Sequence, residues 1–115
     1  MTVTIYHNPR CSKSRQTLAL LVERGVEPRI VEYLETPPSA EEFEVILNGL
    51  GMEPRDLMRR KEAPYAGNGL DDESLSRSEL IAALRHDPLL MERPVVVADG
   101  KVAIGRPPEN VLEIL

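Results

Sequence analysis

Residues Val3 to Tyr6 alternate β-branched and aromatic types, which predicts a short first strand. His7 to Cys11 contains Asn8-Pro9, a turn signal. From Ser12 or Lys13 to Arg24 the apolar residues Leu18, Leu21 and Val22 recur at helical spacing, and Gly25 supplies a stop. Arg29 to Tyr33 returns to strand composition. One helix fills the interval between these strands, which predicts a parallel βαβ unit. Pro37-Pro38 then breaks the chain. Ser39 with Glu42 forms a capping box ahead of Phe43, Ile46, Leu47 and Leu50, and Gly51 closes that helix. Pro54 predicts a short helix through Arg59, and Ala63 to Asp72, with Pro64, Gly67, Asn68 and Gly69, a loop. A second capping box, Ser76 with Glu79, opens a helix carrying Leu80, Ile81 and Leu84 that ends before Pro88.

The last quarter reads differently. Pro94 precedes Val95-Val96-Val97, a central apolar strand, and Asp99-Gly100 predicts a tight hairpin turn into Val102 to Ile104. Pro107-Pro108 marks the start of a final helix whose buried stripe is Val111, Leu112 and Leu115. The order is β-α-β, a helical insertion over about 39–88, then β-β-α. A parallel βαβ unit joined to an antiparallel hairpin and a closing helix is the thioredoxin-like arrangement. The expected fold is therefore α/β, a central mixed sheet flanked by helices, with 1–115 as one domain.

Composition narrows the class. The chain has 115 residues, of which 42% are hydrophobic and 29% charged, as in a globular domain with one modest core. No apolar run reaches bilayer length, and the N-terminus has no basic flank before a long apolar stretch. A single cysteine cannot form an internal disulfide, whereas a small secreted domain would carry several. These features predict a cytoplasmic protein with no membrane partner. The net charge of −5, with three tyrosines and one phenylalanine, argues against nucleic acid as a partner. Two basic clusters on this acidic chain are accordingly informative: Arg10, Lys13 and Arg15, and Arg55, Arg59, Arg60 and Lys61.

Cys11 falls at the junction of the first strand and first helix. Unpaired N–H groups at a helix start carry partial positive charge, which lowers the pKa of a thiol placed there. Arg10, Lys13 and Arg15 add cations. Cations in a first helical turn oppose the helix dipole, so three within six residues make little sense for stability and suit a site for an oxyanion. The segment Cys11-Ser12-Lys13-Ser14-Arg15 also supplies small hydroxyl residues whose N–H and O–H groups can wrap an anion. A lone cysteine is on its own most simply a small buried apolar residue. Its position argues for a nucleophile instead. The motif is C-x-x-S and no second cysteine exists, so a sulfur intermediate must be resolved by an external thiol.

The run Tyr6-His7-Asn8-Pro9-Arg10-Cys11-Ser12-Lys13-Ser14-Arg15, followed by Glu32-Tyr33-Leu34 and Pro37-Pro38, resembles the ArsC family of glutaredoxin-linked arsenate reductases and related compact ArsC-like proteins. The resemblance continues through Leu57-Met58-Arg59-Arg60, Pro64-Tyr65, Arg93-Pro94-Val95-Val96-Val97 and Arg106-Pro107-Pro108-Glu109. It implies that Cys11 attacks arsenate with loss of water, that glutathione as co-substrate then attacks at arsenic, and that glutaredoxin releases arsenite. It also implies oxyanion-binding roles for Arg59, Arg93 and Arg106, with Ser14 and Arg15 in the same cradle and Arg10, Lys13 and Arg60 assisting. From spacing alone, Arg59 and Arg60 are equivalent. His7 corresponds to a residue near the nucleophile, acting either through its charge or through hydrogen bonding. Pro94 resembles the cis-proline that faces the cysteine loop in this fold. Neither a metal nor a bound cofactor is expected.

Independent chemistry agrees with those assignments. A tetrahedral dianion needs several convergent donors, and arginine offers paired N–H groups that keep their charge. Two other functions fit the thiol: a monothiol glutathione-dependent oxidoreductase, and a regulator resembling Spx that binds RNA polymerase. The second senses oxidation through C-x-x-C, which Ser14 removes here.

Overall fold

The computed structural model describes residues 2–115. The chain forms two compact units, one from the segments ending at Thr36 and beginning at Arg93, the other from Pro37–Glu92.

The first unit holds β1 (Val3–His7), α1 (Ser12–Glu23), β2 (Arg29–Glu32), β3 (Val95–Ala98), β4 (Lys101–Ile104) and a closing 3-10 helix, Pro108–Ile114. The sheet order is β2-β1-β3-β4. β1 runs parallel to β2, with Ile5 opposite Ile30, and antiparallel to β3, with Ile5 opposite Val96. β3 and β4 form the expected hairpin. Its turn has φ of 49° at Asp99 and 82° at Gly100. Two successive positive φ values match the twist of the strands they join, and Asp-Gly tolerates them. The mixed thioredoxin-like sheet is thus as the pattern implies. Val3, Ile5, Val96 and Ala98 from the sheet pack with Leu21 of α1 and Val111 to form the core.

Two details of this unit depart from the sequence pattern. In α1 the buried residues are Ser14, Thr17 and Leu21, while Val22 is 60% exposed. The inward face therefore begins with two small polar residues, and apolar periodicity alone misjudged its phase. The close approach of Gly105 explains Thr17: a Cβ on Gly105 would collide with Thr17 Oγ1 and lie 2.8 Å from Pro94 Cγ. The final helix is a 3-10 helix, whose three-residue repeat turns Pro108, Val111 and Ile114 inward and leaves Leu115 exposed.

The second unit holds α2 (Ala40–Leu50), a 3-10 turn at Pro54–Leu57, α3 (Ala63–Gly67), α4 (Arg77–His86) and a 3-10 turn at Pro88–Leu90. Both capping boxes form: Glu42 N–H donates to Ser39 Oγ at 3.1 Å, and Glu79 N–H to Ser76 Oγ at 3.2 Å. Phe43, Ile46, Leu47, Leu80, Ile81 and Leu84 are buried. The turn that starts at Pro54 stops at Leu57, short of Arg59. Met58 there bridges to Met91, and Arg59 N–H donates to Leu90 O at 2.6 Å, so extended pairing replaces helix. Conversely, Ala63–Gly67 is a short helix inside the segment read as a loop. Pro64 stands in its first turn, where a missing N–H costs nothing. Among the described residues no helix is long and apolar enough to cross a membrane.

Candidate active site

β1 ends at His7, and Asn8-Pro9-Arg10 turns the chain into α1. The Asn8 side chain accepts the Arg10 N–H at 3.0 Å, and Asn8 O accepts the Cys11 N–H at 3.0 Å. These bonds make Cys11 the N-cap of α1, with extended backbone (φ −95°, ψ 122°). Its side chain is nearly enclosed, 9% exposed. Burial is the largest influence on the thiol and opposes its ionisation. The Ser14 N–H, the Arg93 charge, the Lys13 N–H and the Arg106 charge together outweigh burial, so the pKa falls below the ordinary thiol value.

The cations that act on the sulfur differ from those the local sequence suggests. Arg106 Nη2 stands 3.7 Å from Cys11 Sγ, and Arg106 Nε donates to the Arg93 carbonyl at 2.8 Å. Arg93 begins the segment entering β3 and Arg106 follows β4. Gly105 N–H donates to Pro94 O at 2.9 Å, which holds these two strand ends together. Both Arg93-Pro94 and Arg106-Pro107 are cis, the first in the position expected from the fold. Among the cysteine's sequence neighbours, Lys13 contributes its backbone N–H rather than its ammonium. Arg15 donates from Nη1 to Pro9 O at 2.9 Å and so braces its own loop. Arg10 is exposed and is among the residues that line a cavity beside the loop.

His7 is buried, and its Nδ1 lies 2.6 Å from Ser14 Oγ. Ser14 Oγ also accepts the Asn8 N–H at 3.0 Å. Burial lowers the His7 pKa, the Glu32 carboxylate raises it and Arg15 lowers it, with a net decrease. The ring is therefore neutral at pH 7, and its Nδ1 shares a hydrogen bond with the Ser14 hydroxyl. A neutral ring supplies no cation to the thiolate. His7 acts on the loop by hydrogen bonding, through Ser14. Ser14 in turn presents its N–H to the cysteine, while its hydroxyl is engaged by His7 and Asn8.

Arg59 and Arg60 belong to the second unit. Arg59 Nη2 pairs with Glu62 Oε1 at 2.7 Å, and Arg60 Nη2 with Asp56 Oδ1 at 3.6 Å. The two therefore differ in how firmly they are held, which spacing did not reveal. Sequence reasoning also missed Thr17 and Gly105, whose close approach shapes the ground under Pro94. The available signal was a glycine directly before Arg106-Pro107. No group of His, Cys, Asp and Glu side chains suited to a metal occurs among the described residues.

A cysteine loop of this kind beside a cis-proline and two arginines invites comparison with known proteins. The model of the ArsC family matches residues 6–114. The chain belongs to the ArsC family. It is 60% identical over 114 residues to an uncharacterised Escherichia coli K12 protein, YfgD, covering 98% of this chain and 96% of that one. It is 47% identical over 114 residues to an arsenate reductase of Neisseria meningitidis serogroup A, covering 98% and 97%. The solved structure of an arsenate reductase from Vibrio cholerae superposes with a TM-score of 0.95 at 52% identity, covering all of this chain and 98% of that one. The matched stretch contains both the segment Tyr6 to Arg15 and the two arginines, Arg93 and Arg106, that meet its cysteine within the first unit.

Proposed function

We propose that this ArsC protein reduces arsenate to arsenite with Cys11 as nucleophile and glutathione and glutaredoxin as external thiol reductants. The observation that carries the reading is the Arg106 guanidinium 3.7 Å from Cys11 Sγ, a cation beside a thiol of lowered pKa. The names of its relatives supply arsenate as the oxyanion.

In the first step the Cys11 thiolate forms an S–As bond, and one arsenate oxygen leaves as water. Arg93 and Arg106 hold the remaining oxygens, whose charge they offset. Glutathione sulfur then bonds to arsenic and a second water leaves. A glutaredoxin thiolate attacks the glutathione sulfur, giving a mixed disulfide. The As–S electron pair stays on arsenic, which passes from pentavalent to trivalent. Water finally cleaves the Cys11–arsenic bond, releasing arsenite and the thiol. The sum is arsenate plus two thiols giving arsenite, one disulfide and one water. The absence of a second cysteine from the sequence supports the external thiol. The family match of Leu57-Met58-Arg59-Arg60 supports Arg59 as a further oxyanion ligand, with Arg60 assisting. Dependence on glutathione and glutaredoxin implies a reducing compartment, the cytoplasm.

The test mixes the protein with arsenate, glutathione, glutaredoxin, glutathione reductase and NADPH, beside a Cys11→Ser control. NADPH consumption that needs arsenate and vanishes in the control is the expected result. Absence of arsenate-dependent turnover sinks the reading. Turnover of a glutathionylated substrate without arsenate would make the protein a monothiol oxidoreductase instead.

A further inference from the structure

Beside the nucleophile loop lies a cavity to which the reaction above gives no task. It opens at the carboxyl ends of the parallel pair β1 and β2, where His7 stands opposite Glu32. Asn8, Pro9 and Arg10 form one side, Glu32, Leu34 and Glu35 the other, and its volume is about 250 Å³. Ligands of α/β sheets bind in this place, outside the carboxyl ends of parallel strands.

The lining has an unusual charge balance. Arg10, Glu32 and Glu35 are all exposed, and none of the three belongs to an ion pair among the described residues. Elsewhere in the chain, by contrast, Arg59, Arg60 and Arg77 are each paired with a carboxylate. One cation and two anions therefore line a common space, together with the apolar residues Pro9 and Leu34. That combination matches the free amino-acid end of a γ-glutamyl peptide, which carries an ammonium and a carboxylate on one carbon. The volume lies below that of a whole ligand pocket and suits one end of such a molecule.

Position adds the second argument. Arg10 is covalently next to Cys11, and the lone cysteine requires a thiol brought from outside. An extended tripeptide spans about 10 Å, so a thiol on its central residue reaches one residue along the loop from an anchored end.

We propose that this cavity seats the thiol co-substrate, a zwitterionic thiol peptide of the glutathione class. The α-ammonium of its γ-glutamyl end lies against Glu32 and Glu35, and the carboxylate on the same carbon lies on Arg10. The proposal rests on Cys11 being the arsenate-reducing nucleophile, and it adds where the second substrate binds.

S-methylglutathione, which cannot react, tests the site directly. Titrated into the protein and followed by backbone amide NMR, it should shift Asn8, Arg10, Leu34 and Glu35. Glu35→Lys should weaken its binding about tenfold, and an analogue without the α-ammonium should bind the unaltered protein about as weakly. Glu35→Gln, a milder change, should weaken binding by a smaller factor and serves if the charge reversal disturbs folding. In turnover, Glu35→Lys should raise the glutathione KM about tenfold and leave unchanged both the arsenate KM and the rate at which arsenate alone consumes the Cys11 thiolate. Amide shifts elsewhere, or equal affinity in the variants, would overturn the proposal. If arsenate consumes the thiolate but the glutathione KM is indifferent to Glu35, the cavity assignment alone fails. If arsenate never consumes the thiolate while S-methylglutathione still binds through Glu35, the reaction reading fails and the binding site stands.

Discussion

Arg106 donates from Nε to the carbonyl oxygen of Arg93 at 2.8 Å, and its Nη2 stands 3.7 Å from the Cys11 sulfur. One guanidinium thus joins two strand ends to the cysteine loop. The planar fork of arginine is what allows both contacts at once, since Nε and Nη2 point along different directions of a rigid group. A lysine could replace the charge but not the geometry.

Arg106→Ala should raise the Cys11 pKa, because a cation that favours the thiolate is lost. It should also raise the arsenate KM by at least about tenfold, the cost of one charge-assisted contact. Arg106→Lys should restore part of the pKa effect and little of the KM. Iodoacetamide alkylation against pH and steady-state kinetics measure the two. Arg29→Ala, at the far end of β2 from His7, should change neither; equal effects would mean that the site is misassigned.

The lowered thiol pKa has a consequence for stability. The folded-state pKa lies below the unfolded one, so the unfolded chain binds more protons between them. The thiolate contribution is complete above the unfolded value, near 8.5, and is lost as pH falls through the folded value. The melting temperature of the unaltered protein, measured relative to Cys11→Ser, should therefore rise across that window and level off above it. A difference that stays flat with pH would contradict thiolate stabilisation.

Ser14→Ala removes the hydroxyl that His7 Nδ1 and the Asn8 N–H share. Ser14 is fully buried, so both partners lose their bond in a dry site. The expected loss is about 1–3 kcal/mol of stability. Urea denaturation measures it. Alkylation of Cys11 should be disturbed in the same variant, because the Ser14 N–H position depends on that anchor. His7→Asn tests the link from the other side.

Gly105→Ala should destabilise by about 1–3 kcal/mol, the usual cost of overpacking. The new methyl group would meet Thr17 Oγ1, and Pro94 Cγ at 2.8 Å. Thr17→Ala removes one of these two obstacles, so the double variant should recover part of the loss. A double-mutant cycle that shows simple additivity would mean that the contact is relieved elsewhere.

Periodicity and turn chemistry determined the order of elements. The β-branched runs at Val3 and Val95, the boxes at Ser39 and Ser76, and Asp99-Gly100 each act within a few residues of chain. Local rules therefore reach them. The strand-to-helix position of Cys11 also follows from local pattern, and the cysteine count excludes a second thiol of the chain as its partner. The partners of the Cys11 thiol did not follow from local pattern, although the family resemblance pointed to Arg93 and Arg106. The nearby Arg10 and Arg15 looked like its cations, yet Arg93 and Arg106, some eighty and ninety-five residues away in the chain, supply the charge. Only the pairing of β1 with β3, and of β3 with β4, brings those strand ends to the cysteine loop. The inward face of α1 was hidden for a related reason: Ser14 and Thr17 are buried by hydrogen bonds and by the approach of Gly105, not by hydrophobicity. Short-range propensity thus determined the order of the strands and the main helices and where Cys11 stands. The tertiary structure decided which charges meet the sulfur, because electrostatic contact depends on distance in space rather than separation along the chain.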